Sequence, residues 1–283
     1  MANWIDNKTV ILTGASSGIG KMLAERLMKE HNCKVIGVAR SEAKMIKFVE
    51  ELGDYAKLFK YRLFDVSSYD NWQEFHNWLV ENNIKPDVLI NNAGVLPRFD
   101  RLMNYTKEEI DESINIDFYS AAYSSKIMLP LLLKSETPAI INVASSAALM
   151  ALGGTSMYSA SKAAVKGLTE AMREELRGEA YIGLVCPGFT KTDIFRNQGE
   201  TNGMDLINMV STPCDKAVNK ILHGILNKKS YIVVGFDGNA MGRFNRIMPV
   251  QGSRLFSSVI KAFKIDLFAS TFGYEKKGDK KSK

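Results

Sequence analysis

K-T-V-I-L-T-G-A-S-S-G-I-G, residues 8 to 20, opens as a short apolar run rich in β-branched residues and then places three glycines before the apolar-periodic Met22, Leu23, Leu27 and Met28. That order reads as strand, tight turn, helix. The bare amides that start such a helix, together with the positive end of its dipole, form an anion site. Gly14, Gly18 and Gly20 let a pyrophosphate approach the backbone closely. The spacing is G-x-x-x-G-x-G rather than the commoner G-x-G-x-x-G of dinucleotide sites.

Working outward, the next apolar run, 34 to 39, is expected to end beside an adenosine ribose, where an Asp or Glu would bind the diol of NAD. Here the run ends in Ala39-Arg40-Ser41. With no carboxylate to repel it, a 2′-phosphate can be met by the Arg40 guanidinium and by the hydroxyls of Ser41 and Ser16, which predicts NADP(H) over NAD(H). Further strand-like runs at 57 to 64, 87 to 92, 139 to 144, 180 to 186 and 231 to 235 alternate with helix-patterned segments. The expected fold is therefore α/β, a doubly wound Rossmann-like parallel sheet of about seven strands with helices on both faces. At 283 residues and 46% hydrophobic composition, with no long Pro/Ser/Gly linker and no repeat of solenoid length, the chain can bury one large core.

Between Ser145 and Lys162 the chain carries a second signal. If the segment after Gly154 is helical, Tyr158 and Lys162 are i,i+4 neighbours, and an ammonium beside a phenol favours its ionised form. A phenol near its ordinary pKa of ~10 is a poor acid-base catalyst at neutral pH. Lys162 and an oxidised nicotinamide would pull that value down, while the Ser145 hydroxyl could hold a carbonyl oxygen. Such an apparatus interconverts ketones and alcohols. Tyr and Lys at this spacing also recur on solvated helix faces, so the pair gains its meaning from the glycine turn upstream.

With these residues assembled, the first 235 or so residues resemble the short-chain dehydrogenase/reductase family. T-G-A-S-S-G-I-G at 13 to 20 is similar to the family's cofactor turn, which adds Ser17 and Ile19 to the residues above. Asp65-Val66 resembles its adenine contact, and N-N-A-G at 91 to 94 resembles the element that steadies the sheet and the cofactor, with Asn92, Ala93 and Gly94 beside it. Asn115, Ser145, Tyr158 and Lys162 then follow in the family's catalytic order, and P-G-F-T-K-T at 187 to 192 follows them.

The resemblance implies that Tyr158 is the general acid in reduction, that Lys162 binds the nicotinamide ribose and lowers the Tyr158 pKa, and that Ser145 orients the carbonyl. Asn115 would interrupt its helix and hold a water linking Lys162 to solvent. Pro187, Gly188, Thr190 and Thr192 would close over the nicotinamide and phosphates. It also implies the strand order 3-2-1-4-5-6-7 and a homodimer or homotetramer. A competing reading is a nucleotide-sensing or scaffolding protein that keeps the fold without turnover, but a binding module needs no proton donor.

Cys33, Cys186 and Cys214 are far apart, with no C-x-x-C and no secretory signal, which suits a cytoplasmic protein. His31, His76 and His223 form no i,i+4 pair and sit near no carboxylate cluster of ligand spacing, so no metal is expected. Of the net charge of +6, the tail residues Lys276, Lys277, Lys280, Lys281 and Lys283 against Glu275 and Asp279 contribute +3 (5 − 2). The body carries no basic stripe interleaved with aromatics, which argues against a nucleic-acid partner.

Residues 236 to 283 form an extension beyond the 1 to 235 unit. Leu255, Phe256, Val259, Ile260, Phe263 and Leu267 stand at helical spacing, with Ser257, Ser258, Lys261 and Lys264 largely opposite. Such a stripe packs on its own core or a second subunit, covers a hydrophobic substrate as a lid, or, followed by Phe268, Phe272, Tyr274 and the Lys-rich tail, touches a membrane peripherally. It is too short and polar to span one. Phe189, Phe195, the segment Thr201 to Met209 and the extension suggest a greasy pocket for a steroid, a fatty-acyl ketone or a sphingoid-type ketone.

Overall fold

The computed structural model describes residues 3–192, 194, 211–265 and 268–274. Phe195, the segment 201–209, Leu267 and the Lys-rich tail lie outside the described residues.

Seven parallel strands form one sheet in the order β3-β2-β1-β4-β5-β6-β7, as expected: β1 Thr9–Thr13, β2 Lys34–Ala39, β3 Phe59–Leu63, β4 Val88–Asn91, β5 Ala139–Val143, β6 Tyr181–Pro187 and β7 Tyr231–Val234. The central strands are apolar at successive positions because both faces are covered. On β1, Val10 and Leu12 point to one face and Ile11 to the other, and all three are fully buried.

The first face is closed by α1 (Gly18–His31), α2 (Glu42–Leu52) and α7 (Cys214–Leu226), whose Leu23, Leu27, Phe48, Val218 and Ile221 pack on Val10 and Leu12. The second is closed by α3 (Tyr69–Glu81), α5 (Ser120–Leu132) and α6 (Ser156–Glu175) through residues such as Phe75, Met128 and Met172. Trp72 of α3 is fully buried, and its indole N–H donates to the Val66 carbonyl at 2.9 Å, so the largest core side chain also meets its polar requirement.

The helix ends follow local chemistry. α1 stops where Asn32 turns left-handed (φ 50°), with the Asn32 and Cys33 amides donating to Met28 and Leu27 carbonyls. α4 (Lys107–Ile114) starts from a reciprocal Thr106–Glu109 capping box. It then runs into a π turn, Asn115–Tyr119, before α5.

Strand order reverses between β1 and β4, and the crevice beyond their carboxyl ends is where ligands of such sheets bind. Over it lies the described part of the extension, α8 (Phe236–Ile247), α9 (Pro249–Ala262) and the short α10 (Ala269–Phe272). Met241, Phe256, Ile260 and Phe268 join Leu96, Phe99, Met150 and Leu152 in a third apolar cluster.

The expected single stripe is divided. Phe256 and Ile260 face this cluster, whereas Leu255, Val259 and Phe263 are 49%, 46% and 60% exposed. Two of the three aromatics that a membrane contact would use are turned inward: Phe268 is 1% exposed and stacks on Phe99 at 4.9 Å, and Phe272 packs beside it.

Candidate active site

The site is assembled at the strand ends. β1 delivers Thr13, whose Oγ1 accepts the Asn92 and Ala93 amides at 2.9 Å each, while the Asn92 amide side chain donates to the Thr13 carbonyl at 3.0 Å. This pins the loop after β4 to the glycine turn after β1. Gly14 takes φ +67°, and a Cβ there would stand 2.8 Å from Asn92 Nδ2. An L side chain is therefore excluded both by backbone conformation and by space.

Two residues beyond β5 stands Ser145, extended and buried, whose hydroxyl accepts the Ala147 amide at 3.2 Å. α6 carries Tyr158 and Lys162 one turn apart, with the Lys162 Nζ 5.7 Å from the Tyr158 ring centre. Asn115 occupies the start of the π turn, and its carbonyl accepts the Ser120 amide, so the helix is interrupted where the resemblance implied.

The π turn also places a residue that the sequence reading passed over. Asp117, 2% exposed, lies 3.2 Å from the Lys162 ammonium, which is itself 3% exposed. It accepts from the Val95 amide and the Ser161 hydroxyl, both at 2.9 Å. A Cβ on Gly94 would fall 2.8 Å from Lys162 Nζ and 2.9 Å from Asp117 Oδ1, so the absence of a side chain at 94 is what lets this pair form.

Burial raises the Asp117 carboxyl against the pull of Lys162, Val95 and Ser161. For Lys162, burial acts downward and Asp117 upward, and the net direction is up. Tyr158 is also raised, by burial first. Lys162 and a Ser145 hydrogen bond lower it, while Asp117 and the buried Cys186 add to the rise. Lys162 thus acts in the expected direction, but its charge is already partly matched. Burial holds the Cys186 thiol at about 12, so it is an inert neighbour rather than a nucleophile.

One cavity of about 430 Å³ connects these groups. It brings together Gly14, Ser17, Gly18, Ile19, Arg40, Asn92, Ala93 and Gly94, and at its other end Ser145, Tyr158 and Lys162. Pro187, Gly188, Thr190 and Thr192 line it as well. Ser16, Gly20, Ser41, Asp65, Val66 and Asn115 are not in its wall. Asp65 is held at an exposed turn after β3 by the Ser67 amide and hydroxyl, and the Val66 carbonyl is taken by Trp72. Lys44, on the first turn of α2, lines the cavity beside Arg40; two basic residues four apart at a helix start were the signal for it.

These residues fit a dinucleotide. No side chain caps the amides at the start of α1, its first turn holds no acid, and Gly18 (φ +52°) leaves the approach open.

The sequence profile described as short chain dehydrogenase matches residues 8–203. The chain is 33% identical to the 3-oxoacyl-[acyl-carrier-protein] reductase FabG of Vibrio cholerae over 191 residues, 67% of this chain and 76% of that protein. It is 32% identical to the ketoacyl reductase HetN of Nostoc over 235 residues, 81% and 79% of the two chains. Among solved structures, a short chain dehydrogenase/reductase of Burkholderia phymatum in complex with NAD superposes with a TM-score of 0.77 at 23% identity, covering 87% of this chain and 96% of that one. Actinorhodin polyketide ketoreductase with NADPH gives 0.72 at 25% identity, covering 86% and 99%. The fold and site define an oxidoreductase of the nucleotide-cofactor class. The chain belongs to the short-chain dehydrogenase/reductase family.

Proposed function

We propose that this protein is an NADP(H)-dependent reductase of a hydrophobic ketone, working reversibly on the corresponding secondary alcohol. The observation that carries the reading is one cavity with Arg40 and Lys44 at one end and Ser145, Tyr158 and Lys162 at the other. NADPH, when bound, supplies the hydride for the carbonyl carbon. Tyr158 gives its phenolic proton to the carbonyl oxygen, and the Ser145 hydroxyl orients that oxygen by hydrogen bonding. Lys162 stabilises the tyrosinate left behind and binds the ribose, and Asn115 at the π turn serves the relay that returns a proton to Tyr158. The glycine turn and the first amides of α1 bind the pyrophosphate, with Asp65 and Val66 toward the adenine.

Leu96, Phe99, Leu152, Phe189, Ile194 and Met241 line the cavity, which supports an apolar substrate of the steroid, fatty-acyl or sphingoid-ketone kind. The ketoreductase names of several relatives favour carbonyl reduction. Three free cysteines, two of them buried, are in keeping with a cytoplasmic setting. Assembly as a homodimer or homotetramer is proposed from membership of the family alone. Monitoring nicotinamide absorbance against a panel of hydrophobic ketones tests the reading; no oxidation of NADPH with any of them would favour a silent nucleotide-binding protein.

Arg40→Ala is expected to raise KM for NADPH by ~10- to 100-fold and to leave KM for NADH almost unchanged, because a charge-assisted contact contributes ~1.5–3 kcal/mol. Ala39→Asp should move the cofactor ratio the same way by repulsion. If both variants keep the wild-type ratio, Lys44 or another group carries the 2′-phosphate.

Asp117→Asn tests the matched charge on Lys162. Removing the carboxylate lets Lys162 act more fully on Tyr158, so the phenol should ionise at lower pH. Alcohol oxidation, which needs the phenolate, should then rise earlier on the pH axis, and carbonyl reduction, which needs the phenol, should fall earlier. A displacement of about one unit is expected, within the 1–3 units typical of a nearby charge; coincident profiles would show that Asp117 has no electrostatic hold on Tyr158.

A further inference from the structure

Helices α8 and α9 form a hairpin joined at Met248-Pro249 and packed face to face, with the Phe244 and Phe256 rings 6.0 Å apart. Its inner side is accounted for by the apolar cluster over the cavity. Its outer side is not. At the corner Ile247, Met248 and Val250 are 78%, 37% and 53% exposed, and along α9 Leu255 and Val259 are 49% and 46% exposed. Phe263, at the end of the helix, is 60% exposed. A helix that has already buried one apolar ridge has no internal reason to carry a second.

The charges on the same hairpin point to the occupant. From Gly238 to Ile265 the chain has five basic residues, Arg243, Arg246, Arg254, Lys261 and Lys264, and no acidic one. All five are exposed, and none is in an ion pair with another described residue. On α9, Arg254 and Lys261, seven residues apart, share one exposed face about a third of a turn around the helix from the Leu255–Val259 ridge, so their long side chains can reach headgroups while the ridge meets the acyl boundary. A second copy docking on this face through a two-fold axis would bring like charges together, which opposes self-association. An anionic surface would meet both the charge and the apolar ridge. No described helix is long and apolar enough to cross a bilayer.

We propose that the outer face of the α8–α9 hairpin docks in the plane of an anionic lipid bilayer. The corner residues and the Leu255–Val259 ridge enter the acyl boundary while the five basic side chains meet the headgroups. Because the opposite ridge of α9 packs on the apolar cluster whose Leu96, Phe99, Leu152 and Met241 line the cavity, the docked hairpin stands between bilayer and active site, where a lipid-dissolved ketone would arrive. The docking rests on exposure and charge alone, so it stands or falls independently of the substrate.

The test is co-flotation of the full chain with phosphatidylcholine vesicles, with and without phosphatidylserine, at low and high salt. The wild-type chain is expected to float with the anionic vesicles at least ~10-fold better than with neutral ones, and less so in high salt, since each basic residue near such a surface contributes a factor of about five. Ile247→Ser/Leu255→Ser/Val259→Ser should reduce partitioning by on the order of tenfold or more through lost apolar burial. It should do so without altering turnover of a water-soluble ketone. Arg246→Glu/Lys261→Glu should weaken flotation by at least ~25-fold on the same per-residue factor, and it decides the question if the triple variant does not fold. A wild-type chain that stays at the bottom of the gradient overturns the proposal, as does flotation indifferent to both sets of substitutions because the Lys-rich tail alone binds. A dimer that the serine variant dissociates, with no vesicle binding, would assign the face to a second copy instead.

Discussion

Tyr158→Phe is expected to lower turnover by ~10²–10⁴-fold while leaving the fold and the affinity for NADPH near wild type, because the substitution removes only the transferable proton. The ring itself packs at the edge of the apolar cluster formed by Leu96, Phe99 and Leu152, and phenylalanine keeps that contact. The side chain is only partly buried in the cavity wall, so the lost hydroxyl leaves no large void. Steady-state NADPH oxidation with a reactive ketone, alongside cofactor binding by nicotinamide fluorescence, separates the two effects. A variant with near-wild-type turnover would remove Tyr158 from the proton transfer.

Lys162→Ala should be costly in two measurable ways. The first is chemical: with the ammonium gone, only the Ser145 hydrogen bond offsets the burial that already raises the Tyr158 phenol, so reduction should stall at tyrosinate formation. The second is structural. Asp117 is buried and faces Lys162 at 3.2 Å, and removing one member of a buried pair costs about 3–5 kcal/mol because the other charge is stranded. For a large domain that is a fall in Tm of roughly 6–20 °C, taking ~2–4 °C per kcal/mol. Lys162→Ala/Asp117→Ala should recover much of the Tm and none of the turnover. Equal melting temperatures for wild type and the single variant would show that the pair does not stabilise the fold.

The sheet was legible because each central strand is an apolar run bounded by polar or turn residues, and the observed ends of β2 coincide with the expected 34 to 39. β3 was read two residues early, at 57, because Lys57 and Leu58 continue its pattern; they belong instead to a 3-10 turn from Gly53 to Leu58 that leads into the edge strand. The triad-like order of Ser145, Tyr158 and Lys162 could be read because Tyr and Lys share a helix. Asp117 could not, since a carboxylate on a helix is ordinary until the fold brings a distant ammonium to it.

The extension was half legible. Its stripe was seen, but α8 was missed because Gly238 and Gly242 lower the helical signal, and the stripe's division between two surroundings depends on where α9 lies. Pro249 at the first turn begins α9 earlier than the pattern suggested, and Lys264, at φ +46°, follows its end.

The paired asparagines at the centre of the sheet bear on how the chain finds its alignment. Asn91 and Asn142 face each other across β4 and β5, with Asn91 Nδ2 donating to Asn142 Oδ1 at 2.9 Å. Ser124 donates to Asn91 Oδ1 at 2.7 Å, and Asn142 Nδ2 donates to Thr169 Oγ1 at 2.9 Å. Val, Ile and Leu residues alone would let neighbouring parallel strands slide by two positions and still bury the same kinds of side chain. The amides forbid it, because a slipped β5 would leave both of them unpaired inside the core, at about 1–3 kcal/mol for each orphaned group. A line of four polar side chains from α5 through two strands to α6 thus works as a key to strand alignment, and the same alignment sets Ser145, three residues beyond Asn142, at the depth where it meets Tyr158.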